Sequence, residues 1–64
     1  MNVGQNIKRI REACGMTQAE LARRAQTSQA MICQIERGTK RPSLLLSAQI
    51  ADVLQCDVHE FLAS

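Results

Sequence analysis

Aromatic residues are almost missing from this chain of 64: there is no tryptophan, no tyrosine and a single phenylalanine, Phe61. Platforms on which unstacked single-stranded bases could lie are therefore lacking. Only one histidine, His59, is present, and there is no glycine-rich phosphate loop, so no acid, base and nucleophile arrangement can be assembled. An enzyme is not expected. The longest apolar run is far too short to span a bilayer, and no targeting segment, low-complexity tract or internal repeat is visible. A cytoplasmic protein without a membrane partner is the expectation.

Three cysteines form an odd set in no disulfide framework, consistent with reduced thiols. Cys14 and Cys56 fall at apolar-pattern positions and are expected in the core. Cys56 and His59 are three apart, a spacing that suits two ligands of one metal, but a zinc site needs about four ligands and no second pair exists. No metal, cofactor or small-molecule ligand is expected. Cys33 is the remaining candidate for redox chemistry, although no clear resolving thiol accompanies it.

What is present is an uneven charge. The net charge is only +2, yet residues 1–41 hold all eight lysines and arginines and only three of the six acids, leaving the acids Asp52, Asp57 and Glu60 to residues 42–64. The N-terminal two-thirds is the electrostatic face. A chain of this length forms one domain, residues 1–64, and buries only about 60% of its unfolded surface, so it gains from a partner. Homodimerisation is the obvious candidate.

The most informative stretch runs from Thr17 to Gly38, TQAELARRAQTSQAMICQIERG. Thr17 suits an N-cap, Glu20 three residues on completes a capping box, and Met16 and Leu21 occupy the two staple positions. Leu21, Ala22 and Ala25 give this helix one narrow apolar stripe, and it should stop near Ala25. Ser28 is a second N-cap, opening a helix through Arg37 that ends at Gly38, suited to a left-handed C′ position. Two short helices are thus separated by a three-residue turn, the layout of a helix-turn-helix.

Elsewhere the pattern reads as scaffold. Val3, Ile7, Ile10 and Cys14 recur at helical spacing in a first helix capped by Asn2 and ended by Gly15. After Pro42, the run SLLLSAQIADVLQ reads as helix 4, with Leu44, Ala48, Ala51 and Leu54 or neighbouring apolar residues inward. Leu45 and Leu46 exceed what one face needs and serve either as extra core or as a contact surface. Asp57 and Glu60 repeat the capping-box pattern and open a short helix 5, with Val58, Phe61 and Leu62 packing back.

In the second helix of the pair, Ile32 and Ile35 define the buried direction, so Ala30, Cys33, Gln34 and Arg37 point away, with Gln29 on the flank. Glutamine can bond an adenine edge bidentately, alanine can meet a thymine methyl and arginine can take phosphate or guanine. A merely solvated helix face would carry similar residues.

The segments IKRIR, GMTQAELA, TSQAMICQIERG, KRPS and VHEFL, in this order and spacing, resemble the phage repressor and Cro-type helix-turn-helix family from about Ile7 to Leu62. The resemblance implies an all-α, compact five-helix lambda-repressor-like domain that binds double-stranded DNA as a transcriptional regulator. It implies base reading by Gln29, Ala30 and Gln34, and a phosphate contact by Gln18, which would also brace Gln29. Lys40 and Arg41 match a backbone-binding loop, to which the outward Arg37 adds a basic group. Arg11 and Glu36 match a buried ion pair tying helix 1 to the end of the recognition helix. Two positions usually filled by glycine are Gln26 and Gln55, so either both adopt a left-handed conformation at some cost or the turns differ. Ser43 stands where some relatives place a minor-groove arginine. The expected function is that of a homodimeric repressor on an inverted-repeat operator, since occluding a promoter needs no further domain. The alternatives are a protein-interaction module on the same fold and a thiol redox sensor acting through Cys33.

Overall fold

Helix starts are written locally in this chain. The computed structural model describes residues 2–62, with the side chain of Leu62 outside the described part. It contains α1 (Val3–Ala13), α2 (Gln18–Arg24), α3 (Gln29–Arg37), α4 (Leu44–Leu54) and α5 (His59–Leu62), and no strand among the described residues. Side-chain oxygens of Asn2, Thr17, Ser28 and Ser43 accept the backbone N–H three residues on, at 3.0–3.1 Å. Each such cap contributes about 1 kcal/mol by satisfying an amide the helix cannot. Before α5, Asp57 Oδ1 accepts from His59 N at 2.9 Å, and Glu60 Oε2 accepts from Asp57 N at 3.1 Å, completing a capping box. The matching box at α2 is only half made: Thr17 caps Glu20, but the Glu20 carboxylate lies 3.7 Å from Arg24 instead of returning to Thr17.

The first four helices also share one ending. Gly15, Gln26, Gly38 and Gln55 adopt left-handed backbone, with φ of 69°, 62°, 86° and 56°. The following residue then donates to a carbonyl five positions back: Met16 to Arg11, Thr27 to Ala22, Thr39 to Gln34 and Cys56 to Ala51, at 2.9–3.2 Å. These are Schellman motifs. Two of them therefore carry a glutamine in a conformation that costs about 1–2 kcal/mol for a residue with a Cβ. Of the two possibilities open from the sequence, the left-handed one holds.

Ile7, Leu21, Ile32, Ile35, Ile50 and Phe61 are fully buried, so each of the five helices places at least one large apolar side chain in a common core. Burial of each such side chain is worth about 1.5–3 kcal/mol. Helix α1 crosses α3 at Gly4, where a Cβ would fall on the carbonyl oxygen of Ile35 and 3.1 Å from the Cα of Glu36. Only glycine permits that approach. Asn6 Nδ2 donates to the carbonyl of Phe61 at 2.7 Å and ties α5 to α1.

Three expectations change. Cys14 is exposed rather than buried, because α1 ends at that residue and only its Sγ turns towards the Leu54 carbonyl, 4.0 Å away. In α4 the inward residues are Ile50, Ala51 and Leu54, while Leu44 and Ala48 face water. Leu46 packs at the edge of the core, whereas Leu45 is exposed, so only the first of the two surplus leucines is extra core. Cys56 is half-buried against the core, and burial, then Glu60, Cys14 and Asp57, push its thiol pKa up. No helix among the described residues is long and apolar enough to cross a membrane.

Candidate nucleic-acid interface

The α2–α3 pair is set by residues outside it as much as by its own turn. Arg11, in the last turn of α1, forks onto Glu36: its Nε donates to Oε2 at 2.7 Å and its Nη2 to Oε1 at 3.1 Å, while Nη1 donates to the Met16 carbonyl at 2.7 Å. The side chains of this pair are only 9% and 2% exposed, so the fork is a buried one. Hydrogen bonding to Glu36 raises the Arg11 pKa further above its ordinary value, burial working against it. Gln18, the first residue of α2, donates from Nε2 to Glu36 Oε1 at 2.9 Å. One carboxylate thus gathers α1, α2 and α3. Among the described residues no hydrogen bond joins Gln18 to Gln29, so the bracing implied by the family resemblance is replaced here by a link to Glu36.

With Ile32, Ile35 and Glu36 inward, α3 presents Gln29, Ala30, Gln34 and Arg37 to solvent. Ala30, Gln34 and Arg37 follow at steps of four and three, a single strip about two turns long. Cys33 is half-buried and carries a free thiol, at the margin of that strip. Polar, amide-bearing and short, the strip has the shape and donors that a major groove admits.

The segment after α3 is fastened to the same helix. The carbonyl of Gln34 accepts from Thr39 N at 3.0 Å, Thr39 Oγ1 at 3.1 Å and Lys40 N at 3.3 Å. Sequence reading missed Thr39, whose hydroxyl secures the turn just past Gly38. It also missed Gly4, for which the only signal was a glycine in the first turn of a helix. Lys40 and Arg41 are exposed beside a groove of about 570 Å³ that also involves Gly4, Ile35 and Ser47. The N-terminal end of α1, with its positive partial charge, opens on this groove. Among the described residues, Arg37, Lys40 and Arg41 make no ion pair. Glu36 and Arg11 neutralise each other inside the domain, so the exposed charge beside α3 is that of Arg37, Lys40 and Arg41.

The other candidates lie elsewhere. His59 is exposed, its Nδ1 2.9 Å from Asp57 Oδ1, and no three His, Cys, Asp or Glu side chains among the described residues are grouped to hold a metal.

Residues 7–61 match the helix-turn-helix family. Over 58 residues the chain is 40% identical to an immunity repressor protein of Bacillus phage phi105, covering 91% of this chain but 40% of that repressor. It therefore spans less than half the length of that relative. Its fold superposes with a TM-score of 0.90 on the biofilm master regulator SinR of Bacillus subtilis in complex with DNA, at 32% identity over 95% of this chain and 98% of that one. The restriction-modification controller protein C.AhdI of Aeromonas hydrophila gives the same TM-score at 27% identity, covering 94% and 91% of the two chains.

Proposed function

Because the chain belongs to the helix-turn-helix family of DNA-binding transcriptional regulators, of the phage-repressor and Cro type, we propose that it acts as a homodimeric repressor that reads an inverted-repeat operator. The observation that carries this is the exposed strip Ala30–Gln34–Arg37 with Gln29 at its head, held in place from beneath by the Arg11–Glu36 fork. Gln29 and Gln34 read base edges, Ala30 meets a methyl, and Gln18, Arg37, Lys40 and Arg41 contact phosphates. Gln18 keeps its phosphate role with one amide hydrogen engaged by Glu36, since Nε2 carries a second.

No catalytic step is involved: binding at a promoter excludes the transcription machinery. A symmetric dimer presents two recognition helices to one DNA face, so half-site centres should lie about one helical turn, 34–36 Å, apart. Selection of bound duplexes from a random pool tests this. An enriched inverted repeat with that spacing is the expected result. Enrichment of a single asymmetric site would remove the dimer, and no enrichment over the starting pool would remove sequence reading altogether.

A further inference from the structure

We infer that Cys14 and Cys56 are a disulfide-forming pair, a redox clamp that joins the end of α1 to the turn between α4 and α5. Both thiols are free. Cys14 is the C-cap of α1, its N–H held by the carbonyls of Ile10 and Arg11, and its Sγ turns to the carbonyl of Leu54, 4.0 Å away. Cys56 comes two residues after Leu54. The left-handed Gln55 between them folds the chain back, and Cys56 N donates to the Ala51 carbonyl at 3.0 Å. Helix-end hydrogen bonds thus fix both backbones, and one thiol faces the turn that carries the other. The step from Leu54 to Cys56 covers at most about 7 Å, the same scale as the 4.4–6.8 Å or so that a bridge spans between Cα atoms. The Cys14 thiol is also among the groups that raise the Cys56 pKa, a second sign that the two are neighbours.

Packing accounts for Cys56, which is half-buried against the core, but not for Cys14. Cys14 is exposed and serves the helix end through its backbone, so the fold of α1 asks for no sulfur there. The oxidant is a low-molecular-weight disulfide. The exposed Cys14 thiolate attacks one of its sulfurs, forming a mixed disulfide and releasing a first thiol; Cys56 then attacks the Cys14 sulfur and releases the second. Two protein thiols are oxidised, the S–S bond of the reagent takes up the two electrons, and the two protons leave with the released thiols. Burial, the largest of the causes that raise the Cys56 pKa, makes it the resolving thiol and not the first to react.

The bridge closes a loop that holds α2, α3 and α4, with α5 outside it. A long closed loop restricts the unfolded chain most, so the bridged form is harder to unfold. The groove beside Lys40 and Arg41 opens on the N-terminal end of α1, whereas Cys14 lies at the other end of that 11-residue helix, about 16 Å away. Oxidation therefore prolongs the folded state without entering the side that carries the reading strip.

Oxidised glutathione is the probe. After incubation with it and alkylation, trypsin should yield a fragment pair joining Cys14 to Cys56, since cleavage after Arg23 and Arg37 separates both from Cys33. Cys33 should carry at most a glutathione adduct. The bridged monomer should melt about 10 °C or more above the reduced chain, and dithiothreitol should reverse the gain. Cys14→Ser should abolish both the fragment pair and the gain while leaving the melt of the reduced chain unaltered, because the residue is exposed. A bridge to Cys33, or a link between copies in place of one within the chain, overturns the clamp. So does a Cys14–Cys56 bridge that leaves the melting temperature unchanged or lowers it. Cys14 and Cys56 each stopping at a glutathione adduct overturns it as well, since neighbouring thiols would have resolved the first adduct.

Discussion

Gln18 donates its amide to Glu36 Oε1 at 2.9 Å, the same carboxylate that receives the Arg11 fork. Three donors from two helices thus converge on one side chain of a third, and the angle between α2 and α3 is set by this junction as well as by the turn between them. With Glu36 only 7% exposed, water cannot replace a missing donor.

Arg11→Met should accordingly cost about 3–5 kcal/mol, the penalty for leaving a buried charge with too few partners. A domain of this size has a total stability of about 3–10 kcal/mol, so the variant should be close to unfolding. Denaturant titration measures it directly. The pair Arg11→Met with Glu36→Leu should recover much of the loss, and an unchanged midpoint for the single variant would contradict the role given to the fork.

Left-handed glutamines predict a gain. Gln26→Gly and Gln55→Gly should each stabilise the fold by about 0.5–1 kcal/mol, relief of strain outweighing the added freedom of the unfolded chain. The two sites sit in separate turns, so the effects should add. Thermal melts of both single variants and the double decide. A loss of stability at either site would mean that its side chain makes a compensating contact.

Gln34→Ala addresses base reading. About 1–3 kcal/mol should be lost on the selected operator while affinity for scrambled DNA is nearly kept. Competition binding with both duplexes provides the measurement, and equal losses on the two would take Gln34 out of the reading strip.

Lys40→Ala and Arg41→Ala should weaken binding to every duplex alike. Each should flatten the log–log dependence of affinity on salt by roughly one unit. A variant that changes base preference while keeping the slope would not be a phosphate contact.

Acid should loosen α5. The backbone N–H of His59, and then its ring, hold the exposed Asp57 carboxyl below its ordinary pKa of 3.8. A depressed folded value means the cap's contribution is fully present above 3.8 and is lost as pH falls through the lower, folded value. Proton NMR of the Phe61 ring between pH 5 and pH 2 should show the buried environment fading below 3.8, and Asp57→Asn should abolish that step. A Phe61 signal that is the same in both proteins across the range would rule the cap out as its cause.

Helix boundaries were legible because their chemistry is short-ranged: Asn2, Thr17, Ser28 and Ser43 each act on an amide three residues away. The direction of α4 was not, since LLLSAQIA offers apolar residues on most faces and the helical period cannot choose among them. Glu20 had two partners within reach, Thr17 and Arg24, and composition alone does not rank them. Gly4 was opaque for a different reason, as its necessity exists only once Ile35, far along the chain, lies against it. The Arg11–Glu36 pair, 25 residues apart, came from family resemblance and from no local pattern.

Gln34 has two ends with separate employments. Its main-chain oxygen anchors Thr39 and Lys40 through three hydrogen bonds, while its side chain stands free in solvent. A substitution there alters the side chain and leaves the oxygen where it was, so the turn bearing Lys40 and Arg41 survives any exchange that keeps the helix. Under the proposed reading, an exchange at this position would change which duplex is preferred while the turn that carries the basic pair keeps its place.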